Sequence, residues 1–124
     1  MPDKPETPLG PYIDHTNLRP DTTAGDIEKL CTEAIEHQLF AVCVNGCWVQ
    51  NAWNHLADTD ISIATVVGFP FGASDSDSKR YETEAAVDNG ANEIDMVMNL
   101  GRFIDGDHRY IVREIRDIIE AADD

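Results

Sequence analysis

An aspartate lies inside an apolar run, Ile94, Asp95, Met96, Val97 and Met98, directly after Gly90, Ala91, Asn92 and Glu93. A run of that composition reads as a buried strand, where an ionised carboxylate costs several kcal/mol unless it is paired or neutralised. Asp95 is therefore either a functional acid or a structural acid satisfied by a neighbouring strand. Further groups able to do chemistry are Asp14, His15 and Thr16, then Cys43 and Asn45, then Thr65 with the loop from Gly68 to Gly72. His15 could act as a general base, but a hydrogen-bonded structural role beside Asp14 is favoured. Cys43 and Cys47 with His55 invite a zinc site, yet structural zinc needs four ligands and closer cysteine pairs, so buried small side chains are the better reading. No role is assigned to His37, His55 or His108.

These groups need elements to position them, and the chain alternates strand and helix. Tyr12 and Ile13 open a short strand ending at Asp14 to Thr16. Thr23 with Asp26 forms a capping pair for a helix whose apolar stripe is Ile27, Leu30, Cys31, Ala34 and Ile35. Phe40 to Val44 is an unbroken apolar run suited to a parallel strand covered on both faces. Val49, Ala52, Trp53 and Leu56 form a second helical stripe, and Ile61 to Val67 a third strand. A third helix, capped from within Ser74 to Ser78, runs through Tyr81, Ala85 and Ala86 to a terminating Gly90, and the Asp95 strand follows. Ile111, Ile115, Ile118, Ile119 and Ala122 mark a fourth helix. Parallel strands joined by right-handed crossovers are expected, as a small open sheet or part of a barrel. Reactive groups in such folds gather at the C-terminal ends of the strands, so each group above should point into one pocket.

Twenty-four acidic residues against nine basic ones give a formal charge of −15, which excludes nucleic acid and anionic membranes as natural partners. Trp48 and Trp53 are accordingly not read as a base-stacking platform. The acids are spread along the whole chain, a solvated surface of the kind found in salt-rich cytoplasms. No stretch approaches the roughly 20 apolar residues needed to span a bilayer, and the odd cysteine count suits a reducing compartment, so a cytoplasmic protein is expected. Residues 1–10 read as an irregular arm and 11–124 as the single domain.

Taken together, Ile13-Asp14-His15-Thr16, Val42-Cys43-Val44-Asn45, Val66-Val67-Gly68-Phe69-Pro70 and Gly90 to Val97 resemble deoxyribose-phosphate aldolase, in order and spacing from about Tyr12 to Ala122. The resemblance implies an α/β fold, parallel (β/α) units of a TIM barrel. It also implies reversible cleavage of 2-deoxy-D-ribose 5-phosphate to glyceraldehyde 3-phosphate and acetaldehyde in deoxyribonucleotide catabolism, with no metal or organic cofactor. In this family a lysine forms a Schiff base with the substrate carbonyl, and that cation takes up the electrons of the breaking carbon–carbon bond. Asp95 matches the proton-transfer aspartate and Asp14 its supporting acid, while Thr16, Leu18, Cys43 and Phe69 match positions near the substrate. Two local departures are Asn17-Leu18-Arg19-Pro20, where the family has leucine, leucine, lysine and proline, and Gly46, where it has proline after asparagine.

A larger departure concerns the family's Schiff-base lysine, which belongs to a later segment rich in threonine, serine and glycine that this sequence does not contain. The lysines present are Lys4, Lys29 and Lys79, none at a strand end, and no desolvated pocket is expected around any of them. About four of eight barrel units are therefore expected, a half barrel. One expectation is an aldolase retaining the acid half of its machinery; the alternative is a catalytically inactive half-barrel module. Either should form homo-oligomers or bind a complementary second half, because open strand edges and an apolar face seek partners.

Overall fold

The computed structural model describes residues 7–123; the first six residues of the expected arm lie outside them. A 3-10 turn, Gly10–Tyr12, precedes the first strand, which runs Asp14–Asn17 and so begins later than expected from Tyr12 and Ile13. The Ile13 carbonyl accepts the backbone N–H groups of Phe40 and Ala41, so the segment enters the sheet at Ile13 without starting a strand at Tyr12. We label the remaining elements α1 (Ala24–Glu36), β2 (Ala41–Val44), α2 (Val49–Leu56), β3 (Ser62–Val67), α3 (Ser76–Asp88), β4 (Glu93–Met96), α4 (Leu100–Ile104) and α5 (His108–Ala122). The four strands are all parallel and lie in the order β1-β2-β3-β4, each next to its predecessor in the chain.

Local sequence accounts for most of these boundaries. The Thr23 hydroxyl accepts from the Asp26 N–H while the Asp26 carboxylate accepts from the Thr23 N–H, so two otherwise orphaned donors are satisfied at the start of α1. Asp75, Asn99 and Asp107 cap α3, α4 and α5, each with a side-chain oxygen accepting one backbone N–H. The helix expected from the isoleucine spacing is α5, capped by Asp107, and the short α4, capped by Asn99, precedes it without having been expected.

Alternation along the strands sends successive side chains to opposite faces. Val42, Val44 and Ile63 point to one face and are sealed by Ile27, Leu30, Cys31 and Ala34 of α1 and by Val49, Ala52 and Leu56 of α2. Each large side chain buried there contributes about 1.5–3 kcal/mol. The expected stripes need three corrections. Ile35 and Trp53 remain exposed at the margins of α1 and α2. On α3 the buried positions are Lys79, Thr83 and Ala86, whereas Tyr81 is 63% exposed. On α5, Ile111 and Ile118 face α3, but Ile115 and Ile119 are turned to a side that no described element covers.

Candidate functional site

The registry of the sheet assembles the site. Thr16 lies level with Cys43, Cys43 with Ala64 and Ala64 with Glu93; Val66 lies level with Asp95, and Asp14 with Ala41. With the two-residue alternation, Asp14, Thr16, Cys43, Ala64, Val66, Glu93 and Asp95 share the face opposite the α1–α2 layer. Cys43, Ala64 and Val66 form a small apolar floor on which Leu18 packs. Acids flank it from the outer strands, Asp14 on β1 and Glu93 with Asp95 on β4. None of the strand residues on this face is a lysine, arginine or histidine.

Asp95 is exposed, contrary to the expectation of a buried strand. The reason is that β4 is the last strand of the described sheet and that, among the described residues, no second layer covers this face. Its Oδ2 accepts from the Cys43 thiol at 3.8 Å across the width of β3. Burial pushes the Cys43 thiol up to about 11, and the negative charges of Asp95 and then Asp14 add to the rise because they oppose a thiolate beside them. The Glu93 carboxyl is raised by partial burial and then by Asp14 and Asp95. These acids and the thiol therefore sense one another as a single electrostatic cluster. The Thr16 hydroxyl donates to the Asp14 carbonyl at 2.9 Å.

Other expected members lie elsewhere. His15 faces the helix side, with Nε2 3.5 Å from Glu33 of α1, so it has a structural partner and is turned away from the Asp14 side chain. Thr65 is fully buried on the covered face and donates to the Val44 carbonyl at 2.7 Å. Phe69 is 43% exposed on the loop after β3. Asn17, where the family has leucine, accepts from the Thr22 hydroxyl at 2.8 Å and from the Arg19 N–H, and so holds its own loop. A groove of about 360 Å³ lies outside β1, lined in part by His15, Leu18, Lys29 and Glu33.

Two features escape the sequence reading. Glu93 joins the site, and its spacing of two from Asp95 on one strand was the available signal. Lys79 is 0% exposed, against the expectation that no lysine is desolvated. Its Nζ donates to Glu114 Oε1 at 2.7 Å and to the Val97 carbonyl at 2.9 Å. Glu114 is distant in sequence, so no local pattern announces the pair. Enclosed in this way, the amine offers no path to a substrate carbonyl.

Consecutive parallel strand–helix units with reactive groups on the strands' inner face define a portion of a (β/α) barrel of the aldolase type. The family model of the DeoC/LacD family aldolases matches residues 11–124, and the chain belongs to that family. It is 52% identical over 114 residues to a deoxyribose-phosphate aldolase of Aciduliprofundum boonei, covering 92% of this chain and 51% of the relative. A deoxyribose-phosphate aldolase of Clostridium botulinum is 48% identical over 114 residues, covering 92% of this chain and 54% of its own length. Among solved structures, a chain described as a deoxyribose-phosphate aldolase from Coccidioides immitis superposes with a TM-score of 0.90 at 34% identity, covering 98% of this chain and 49% of that one. The chain thus spans about half the length of the curated relatives it matches.

Proposed function

We propose that this chain supplies the acid half of a deoxyribose-phosphate aldolase and acts when a second set of (β/α) units closes the barrel and brings the Schiff-base lysine. The observation that carries this reading is the gathering of Asp14, Thr16, Cys43 and Asp95 on one sheet face that holds no amine of its own. In the reaction, the lysine amine adds to the carbonyl carbon of 2-deoxy-D-ribose 5-phosphate and water leaves to give an iminium. The C3 hydroxyl then gives up its proton through water to a carboxylate as the C2–C3 bond breaks with its electron pair drawn into that iminium, releasing glyceraldehyde 3-phosphate and leaving an enamine. Protonation of the enamine and hydrolysis free acetaldehyde and the lysine. Asp95 moves protons to and from the carbinolamine and imine through water, with Asp14 as its supporting acid. Thr16, Leu18, Cys43 and Phe69 line the space for the short aldehyde and the sugar chain.

The charge of the face argues for a cationic complement over self-closure. Two copies facing each other would bring a double set of Asp14, Glu93 and Asp95 together without a base, and uncompensated like charges oppose such a contact. A residue 11–124 domain working in a salt-rich cytoplasm is part of the same reading, since the charge of −15 calls for screening.

The test is intact mass after incubation with deoxyribose 5-phosphate and borohydride in molar potassium chloride, which reduces any Schiff base to a stable amine. This chain alone is expected to give no adduct. Mixed with the C-terminal half of a relative, it is expected to promote an adduct on the partner's lysine, and Asp95→Asn is expected to abolish most turnover while the complex still forms. An adduct on Lys4, Lys29 or Lys79 of the isolated chain would overturn the division of labour.

A further inference from the structure

Among the described residues Lys79 and Glu114 are the charged side chains sealed inside the molecule, at 0% and 2% exposure, and the proposed chemistry uses neither. A buried ion pair is a poor source of stability, because replacing it with apolar residues of similar volume is often neutral or stabilising. What this pair holds is therefore the better guide. Lys79 Nζ reaches from α3 to the Val97 carbonyl at the exit of β4 and to Glu114 Oε1 of α5. Glu114 Oε2 in turn accepts from the Ser76 hydroxyl at 2.6 Å, and that hydroxyl lies 3.0 Å from the Tyr110 hydroxyl.

Val97 is consequently fixed from both sides, its N–H by the Val67 carbonyl at 2.9 Å and its carbonyl by Lys79. Asp95 is two residues upstream, and its carboxylate meets the Cys43 thiol without a fixed cation beside it. Its placement is thus set by the backbone of β4 more than by side-chain partners. The loop after β3 is shaped around the same strut. Gly68 has φ of +70°, and a Cβ there would stand 2.8 Å from Lys79 Cε. Gly72, with φ of +68°, passes so close to the Met98 carbonyl that any side chain would collide with it.

We propose that Lys79 and Glu114 are positioning residues: through the Val97 carbonyl they hold the exit of β4, and with it the Asp95 carboxylate, within reach of the Cys43 thiol. The importance of that placement rests on the aldolase reading, but the geometry itself is tested without turnover, so either can fail alone.

The three cysteines make the experiment internally controlled. Cys31 is buried on the covered face, its thiol raised to about 11 by burial alone; Cys43 is raised by burial together with Asp95 and Asp14; Cys47 is exposed. The groups facing the Cys43 thiol are Asp95 of β4 and Asp14 and Thr16 of β1. Alkylation by iodoacetamide is followed for each cysteine by peptide mass mapping across alkaline pH in the full chain, with Asp95→Asn as calibration. The double variant Lys79→Met/Glu114→Leu removes the strut without stranding a charge. It is expected to speed Cys43 alkylation about threefold near pH 9, the effect of a half-unit fall in thiol pKa, with Cys31 and Cys47 unchanged. Unchanged Cys43 kinetics, or equal acceleration of Cys31 and Cys43, would mean a merely structural pair and overturn the proposal. Should the double variant fail to fold, Glu114→Gln, which keeps the shape and removes the charge, is read by the same criterion.

Discussion

The two faces of this sheet are built from alternate residues of the same strands, yet they obey different rules. On the covered face Val42, Val44 and Ile63 meet α1 and α2, and polar side chains there have partners, Thr65 at the Val44 carbonyl and His15 at Glu33 of α1. On the open face the strands present Asp14, Thr16, Glu93 and Asp95 around a floor of only Cys43, Ala64 and Val66. Hydrophobic burial explains every large side chain on the first face and none of the acids on the second. Residues that gain nothing from burial, and that repel one another, are there for what the face meets.

This contrast can be broken most forcefully at the charges that belong to the covered side. Glu114→Ala leaves Lys79 unpaired among buried atoms and is expected to cost about 3–5 kcal/mol, a large fraction of a small domain's stability. Urea or thermal unfolding in molar salt measures it, and a loss below about 1 kcal/mol would show that water reaches the pair.

A matched substitution sharpens the comparison. Val44→Ala opens a cavity against two helices, while Val66→Ala lies beside a face with no second layer. The first should cost about 2 kcal/mol or more and the second about half as much, because a site that can relax or admit water loses less. Equal losses would mean that the open face is as tightly organised as the covered one.

The smallest effect is electrostatic and has a defined sign. The Glu93 carboxyl is raised by burial, Asp14 and Asp95, so the folded state holds its proton more tightly than the unfolded chain does. Its contribution to stability is fully present below the unfolded value of 4.5 and is lost as pH rises through the higher folded value. Glu93→Gln is therefore expected to raise the melting temperature slightly at neutral pH, with the gain vanishing below about pH 4.5. A variant destabilised at neutral pH would show instead that the carboxylate has a favourable partner.

Much of the fold was legible because its signals are local. The Thr23–Asp26 capping box, the unbroken Ala41 to Val44 run and the glycine ending α3 each act within a few residues. The face shared by Asp14, Thr16, Cys43 and Asp95 follows from strand order and period. What stayed hidden depends on distant partners. Lys79 reads as a solvated lysine on a polar helix until Glu114 is brought to it by the packing of α3 on α5. Asp95 is exposed here because burial depends on a covering layer and not on the strand's own composition. Trp53 and Ile119, apolar by type, stay in the open for the same reason.

β1 and β4 each have one strand neighbour among the described residues. Where a partner pairs with their outward N–H and C=O groups, the folding free energy of this chain becomes a function of that partner's concentration as well as of sequence. A partner present at a hundred times its dissociation constant adds about 2.7 kcal/mol, comparable to a whole buried aliphatic side chain. The chain's apparent melting point therefore doubles as a binding isotherm: titrating candidate partners and following it would rank them by affinity.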